Sequence, residues 1–339
     1  MSWLNFGLVV VASAMGAVPC LAQTGQPFDQ ALYGKPGQLV DVDAGRRLNL
    51  VCQGSGSPTV IFEAGFGETS VTWRYVQGEI AKLTRACAYD RAGLGFSDPT
   101  PEPQNLPVMT RDLHKMLRAA NIERPIVLVA HSMGGMNAVY FADRHLDDLA
   151  GMVLVDPAVA NQEKLMAPVT QSYYQANASQ RALLVKCLNA AKVGDITPGS
   201  QILADCGNVT AGADAALAAV ENGWSMTASY WQAMLSEHEN MFSMDAANPT
   251  RDDRELNAAK GSFKALPLIV LTAGNAMPNM PEAERGPANA LWMQLHDELA
   301  ANSTVGVNRL IPKSGHYIQD DDPKAVIAAI TDVLAAARK

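Results

Sequence analysis

The chain has 339 residues, 48% of them hydrophobic and 18% charged, enough apolar material for two domains or for one large α/β domain with an insertion. Its formal net charge of −8, with no basic cluster, argues against nucleic acid or an anionic membrane surface as partner. No fixed-period repeat or low-complexity tract interrupts it. Residues 7–18, "GLVVVASAMGAV", form an apolar run too short to span a bilayer. The "PCLAQ" that follows sets Cys20 and Ala22 at the small-residue positions of a signal-peptidase site, although no Lys or Arg precedes Lys35. Residues 1–22 are therefore expected to be an export signal. Its removal leaves no segment for stable membrane insertion and places the mature chain in the periplasm or outside the cell.

From residue 38 the pattern reads strand "QLVDVD", strand "RLNLVCQ", a "GSGSP" turn, strand "TVIFEA" and a glycine loop "GFGE". A helical stretch around residues 73–83 leads to strand "RACAYD", a Gly- and Pro-rich loop and helix "VMTRDLHKMLRAAN". Strand "PIVLVA", the turn "HSMGG", helix "GGMNAVYFADRH" and strand "GMVLVDP" come next. Short, nearly all-apolar strands alternating with helices predict an α/β fold: a mostly parallel central sheet covered by helices on both faces. The alternation stops over residues 158–262, which read as helical and carry Trp224, Trp231 and Met234, and resumes with "LPLIVLT", a helix through "LWMQLHDELA", strand "VGVNRLI" and a helix from Pro323. The expected organisation is a core of residues 38–157 and 263–339 with an inserted helical cap, 158–262. Beyond the export signal stand Cys52, Cys87, Cys187 and Cys206; an even number in an exported chain suggests two disulfides, with three connectivities open. No CxxC or His-rich spacing points to a metal.

A serine between a β-branched strand and a glycine pair, with small residues two before and two after it, suits a very tight strand-to-helix turn that leaves one side chain exposed. The motif Ala130-His131-Ser132-Met133-Gly134 resembles the nucleophile elbow of serine-type α/β-hydrolases, usually Gly-x-Ser-x-Gly, with alanine at the first position. The resemblance covers nearly everything after residue 38. It implies Ser132 as nucleophile and His316, in "IPKSGHYIQDDDP" after the last core strand, as base. The family's usual acid loop, here "AGNAMPNMPEAE", holds no Asp and offers only Glu282 and Glu284. The alternative family location, the end of "MVLVDP", carries Asp156, which is the favoured acid. The oxyanion hole is expected from the backbone N–H groups of Met133 and of Phe66, in Ala64-Gly65-Phe66-Gly67 where the family often has His-Gly-x-Gly. "YDRAGLGFSD", residues 89–98, resembles a family segment and is assigned to the pocket floor; His131, His114, His145, His238 and His296 are read as structural. The family topology makes the second and fourth strands neighbours. This implies Cys52–Cys87, leaving Cys187–Cys206 within the insertion.

A serine nucleophile sets the chain apart from related dehalogenases and epoxide hydrolases, which attack with aspartate. The expected activity is hydrolysis of a neutral carboxylic ester or lactone through an acyl-enzyme, without metal or organic cofactor. The alternatives are an aminopeptidase or amidase, with Glu237 or Glu239 holding a free amine, and a non-catalytic ligand receptor on the same fold. The partner is a small molecule with an apolar portion. Trp224, Trp231 and Met234 are the candidate contacts, and no basic residue occurs between Lys192 and Arg251 to attract an anion.

Overall fold

The computed structural model describes residues 28–338, apart from positions 171, 246, 247, 260, 278 and 279; the export signal predicted over residues 1–22 lies outside the described residues. Eight strands form a single sheet: β1 (Gln38–Asp43), β2 (Arg46–Gln53), β3 (Val60–Glu63), β4 (Ala86–Tyr89), β5 (Ile126–His131), β6 (Leu149–Val155), β7 (Leu268–Ala273) and β8 (Val307–Ile311). Their spatial order is β1-β2-β4-β3-β5-β6-β7-β8, with β2 antiparallel to both neighbours and every pair from β4 to β8 parallel. The fold is α/β, as the pattern of apolar runs implies. β3, β4, β5 and β7 are buried at every position, because parallel strands need crossover helices that cover both faces.

Side-chain alternation divides the core between the two faces. Ile61, Leu128, Leu154 and Val270 pack with Leu113 and Phe141 from helices Leu106–Ala119 and Met133–His145. Their neighbours Phe62, Val127, Val129, Val153 and Leu271 point the other way, onto Trp73, Val326 and Ile330. The helix ends follow local chemistry: the side chains of Asn105 and Asp322 accept from the N–H groups of Val108 and Ala325, the third residue of each helix, and each helix carries a proline in its first turn. The stretch expected around residues 73–83 is divided into a 3₁₀ turn, Ser70–Trp73, and one short helix, Gln77–Ile80.

Between β6 and β7 the described residues contain helices and no strand: Gln162–Met166, Ser172–Lys192, Gln201–Cys206, Ala215–Ser225, Ala228–Met241 and Arg251–Asn257. Cys187–Cys206 joins two of these helices, and Cys52–Cys87 joins β2 to β4, where the two cysteines face each other in register. Both pairs match the connectivity implied by the topology. After β3 the chain runs first to β4 on one side and then to β5 on the other, so the loops at the carboxyl ends of these strands diverge and leave a crevice.

Candidate active site

β5 ends at His131, paired with Val155 of β6, so Ser132 and Asp156 each lie one step beyond the paired strand ends. Ser132 has φ 50° and ψ −122°, a left-handed conformation that costs a non-glycine residue about 1–3 kcal/mol. Its surroundings enforce it. A Cβ on Gly134 would lie 2.6 Å from the Ala64 carbonyl oxygen, and one on Gly135 would lie 2.4 Å from Cβ of Pro157. The two glycines let helix Met133–His145 start against β3 and the end of β6, and the turn projects the serine.

Ser132 Oγ lies 2.9 Å from His316 Nε2, and His316 Nδ1 lies 2.6 Å from Asp156 Oδ2. With Nδ1–H donating to the carboxylate, Nε2 is the acceptor left for the serine hydroxyl. Asp156 Oδ1 accepts from Ala273 N–H at 2.9 Å and from Trp292 Nε1–H at 3.0 Å. Burial pushes the Asp156 carboxyl up, but His316, His296 and the Ala273 N–H outweigh it and hold the group below its ordinary value. It stays an anion. The alternative acids lie elsewhere: Glu284 accepts from Thr170 and Ser172, and Glu282 is exposed at the start of helix Glu282–Ala300.

The glycine loop after β3 faces this group. Gly65 N–H donates to Glu68 Oε2 at 2.8 Å and Gly67 N–H to Glu237 Oε2 at 2.9 Å, so the Phe66 N–H sits between two committed donors. Met133 opens a helix, where N–H groups lack intrahelical acceptors. His131, read as structural, turns away from Ser132 to bridge Glu68 Oε2 (3.0 Å) and the His316 carbonyl (3.1 Å). Its pKa is raised: burial lowers it, and the adjacent Glu68 carboxylate more than compensates.

A cavity of about 240 Å³ reaches Ser132 and His316, its apolar wall formed by Tyr173, Met241, Phe242, Met277 and Trp292. A larger one, about 800 Å³, opens between Gly93, Pro99 and helix Ala228–Met241 and does not reach the serine. Of the three residues expected to contact substrate, none lines the smaller cavity. Trp231 is buried, with Nε1–H donating to the Ser225 carbonyl at 2.7 Å, Trp224 stands edge-on to Phe96, and Met234 packs on Gly67. For Trp231 the physical reason is that a buried indole N–H needs an acceptor, and the Ser225 carbonyl that accepts it lies within the helical segment. Met241, about two turns beyond Met234, and Phe242, just past the helix end, reach the cavity instead. Residues 89–98 do not line the cavity at Ser132: Ala92 and Gly93 border the larger one, Arg91 bonds the Ala64 and Gly65 carbonyls under the glycine loop, and Asp90 accepts from Ser70 N–H and Asn49. Glu237 is buried against Arg91 and Glu239 pairs with Arg181 at the surface; neither carboxylate lines the cavity at Ser132, where a substrate amine would have to be held.

His114 and His145 stack at 4.1 Å beside Asp148, with potential ligand atoms within 4.8 Å of one another. Asp148 is already bonded to Arg124 at 2.6 Å, and Arg144 and Lys264 line the same cleft, so its cationic surroundings disfavour a metal ion.

Two more buried carboxyls bear on stability. Burial raises Glu163, beside cavity residue Gln162, to about 7 against the partial relief of hydrogen bonds from Gln162 and Asn177. Burial likewise raises Asp252, which accepts from Leu106 N–H, to about 7. Both folded values exceed the unfolded ones, so between about pH 4 and 7 the folded chain binds protons the unfolded chain has released, and stability falls as pH rises through that window. Glu163→Gln is expected to leave stability near pH 5 unchanged and to raise it near pH 8 by about 1–3 kcal/mol. Urea melts at both pH values check this; an equal loss at both would show that the carboxyl acts only through its hydrogen bonds.

The alpha/beta hydrolase family profile matches residues 60–329, and the chain belongs to that family. It is 25% identical over 285 residues to the uncharacterized protein YqjL of Bacillus subtilis, a match covering 84% of this chain and 87% of that one. Among solved structures, an epoxide hydrolase from Bacillus megaterium superposes with a TM-score of 0.63 at 17% identity, covering 88% of this chain and all of the other (100%). A thermophilic esterase from Thermogutta terrifontis gives 0.56 at 17% identity, covering 90% of this chain and 100% of the other.

Proposed function

We propose that the protein is a serine hydrolase that cleaves a neutral carboxylic ester or lactone through an acyl-enzyme. The observation that carries this reading is the continuous hydrogen-bonded line from Ser132 Oγ through His316 to the buried, ionised Asp156. His316 Nε2 takes the serine proton as Oγ attacks the carbonyl carbon. The tetrahedral oxyanion is met by the Met133 and Phe66 N–H groups. His316 then protonates the leaving alcohol, and a water activated by the same nitrogen releases the acid. Serine at the elbow favours acyl substrates on chemical grounds: opening an epoxide or displacing a halide would leave an ether on Oγ, which water at this site would not cleave.

The two disulfides fit an exported protein, because such bonds persist in oxidising compartments. The test is burst release of p-nitrophenol from an activated ester, with peptide mapping of the acyl group onto Ser132. No turnover and no labelled Ser132 would leave a non-catalytic receptor as the better reading. The cavity is smaller than the roughly 300–1,000 Å³ typical of drug-sized ligands, which supports a short apolar acyl group. Along a p-nitrophenyl ester series kcat/KM should rise by up to about fourfold per methylene, the equivalent of ~0.8 kcal/mol, and then fall once the cavity is full. Phe242→Ala and Met241→Ala should move the optimum to longer chains. A profile indifferent to length and to both variants would remove the cavity from acyl recognition.

A further inference from the structure

Beneath the glycine loop lies a buried ionic network that none of the steps above uses. Arg91 is 3% exposed and every edge of its guanidinium is bonded. Nη2–H donates to the Gly65 carbonyl at 2.6 Å and Nη1–H to the Ala64 carbonyl at 2.7 Å. Nη1 also meets Glu63 Oε1 at 3.0 Å, while Nε and Nη2 meet the two Glu237 oxygens at 2.7 and 3.1 Å. Glu237 belongs to helix Ala228–Met241, and its Oε2 also accepts the Gly67 N–H at 2.9 Å.

The Gly65 carbonyl and the Phe66 N–H are two ends of one trans peptide unit, which is planar, so they point in opposite directions. Fixing the carbonyl on a cation therefore fixes the direction of the N–H. Withdrawing electron density at the oxygen also polarises the unit and makes the N–H a stronger donor, an effect that grows where water is excluded. A lysine would supply charge but not the planar fork that grips two carbonyls and a carboxylate at once.

We propose that Arg91 and Glu237 are positioning residues for the oxyanion hole: together they aim and polarise the Gly65–Phe66 peptide toward the oxygen on the substrate bonded to Ser132. The proposal rests on the serine-hydrolase reading above. It assigns helix Ala228–Met241 a part in the chemistry, since the carboxylate that orients Arg91 and ties Gly67 comes from that helix. Glu237→Gln keeps size and one acceptor oxygen but loses the charge that holds Arg91 in place.

The variants Glu237→Gln and Arg91→Lys are assayed beside wild type on a p-nitrophenyl ester, with thermal melts and with inhibition by a boronic acid that forms a tetrahedral anion on serine. The expected result is kcat lower by about 10- to 100-fold with KM within about threefold, since a lost oxyanion donor acts on the transition state and its removal typically costs 10²–10³. Boronate affinity should fall in parallel, whereas the pH at which kcat/KM is half-maximal should stay put because His316 and Asp156 are untouched. Glu239→Gln, on the same helix but paired outside with Arg181, serves as the control and should behave as wild type. A folded Glu237→Gln with wild-type kcat and boronate affinity overturns the proposal while leaving the serine mechanism standing. If neither variant folds at room temperature the network is scaffold and the proposal falls too. A wild type that neither turns over ester nor binds boronate at Ser132 overturns the mechanism itself.

Discussion

Ser132→Ala is expected to lower kcat for ester hydrolysis by about four to six orders of magnitude, and His316→Ala to lower it nearly as far, with the double variant scarcely worse than either. The reason lies in the 2.9 Å contact between Oγ and Nε2. A serine hydroxyl at neutral pH attacks usefully only as its proton leaves, so nucleophile and base are one device and its loss is counted once. Rate should remain above the uncatalysed background, because on this mechanism the Phe66 and Met133 N–H groups and the cavity would still hold the reacting ester. Ser132→Ala should melt close to wild type: the 3.1 Å bond from its N–H to the Val155 carbonyl belongs to the backbone and survives. His316 packs against His131 and Tyr317, so His316→Gln is the companion variant where truncation loosens the loop. Steady-state rates against a matched blank check the claim. A Ser132→Ala enzyme within tenfold of wild type would end the serine mechanism.

The contrast between what local sequence exposes and what it hides runs through this site. The elbow is legible because its constraint is local: a strand, a serine and two glycines leave few other backbone solutions. The same holds for Asp156, since a parallel sheet directs the residue after an apolar run into the crevice; His316, five positions beyond β8, is reached through the family resemblance. Arg91 and Glu237 are different. They are 146 positions apart, and only the docking of helix Ala228–Met241 on the loop after β3 turns two ordinary charges into a buried pair. Trp292 was equally hidden, its bond to Asp156 spanning 136 positions. The aromatic and Met-rich stretch is ambiguous for a physical reason: a helix that must face a cavity must also pack on its neighbours, and composition alone does not divide the two faces. Trp231 went to packing and Phe242 to the cavity.

Asp156→Asn carries the second large effect, and its sign follows from how the carboxylate is held. Oδ1 accepts two donors, the Ala273 N–H and the Trp292 indole N–H, which an amide nitrogen would repel. The asparagine carbonyl oxygen must therefore occupy the Oδ1 position, and its NH₂ group must face His316 Nδ1 where Oδ2 now accepts at 2.6 Å. That NH₂ donates, so Nδ1 becomes the acceptor and the imidazole proton moves to Nε2. The nitrogen facing Ser132 then has no lone pair to receive the hydroxyl proton. Packing and both Oδ1 bonds persist, so the fold should hold while kcat falls by about 10⁴, the scale known when a triad aspartate is made an amide. Proton-detected ¹⁵N spectra of the imidazole should report the exchanged tautomer in a folded protein. Glu282→Gln and Glu284→Gln, which alter an exposed residue and one tied to Thr170 and Ser172, should remain within about twofold of wild type, as substitutions away from the reacting groups do. An active Asp156→Asn beside an inactive Glu282→Gln or Glu284→Gln would move the acid to the loop after β7. It would also require His316 to turn away from the partner that now holds it.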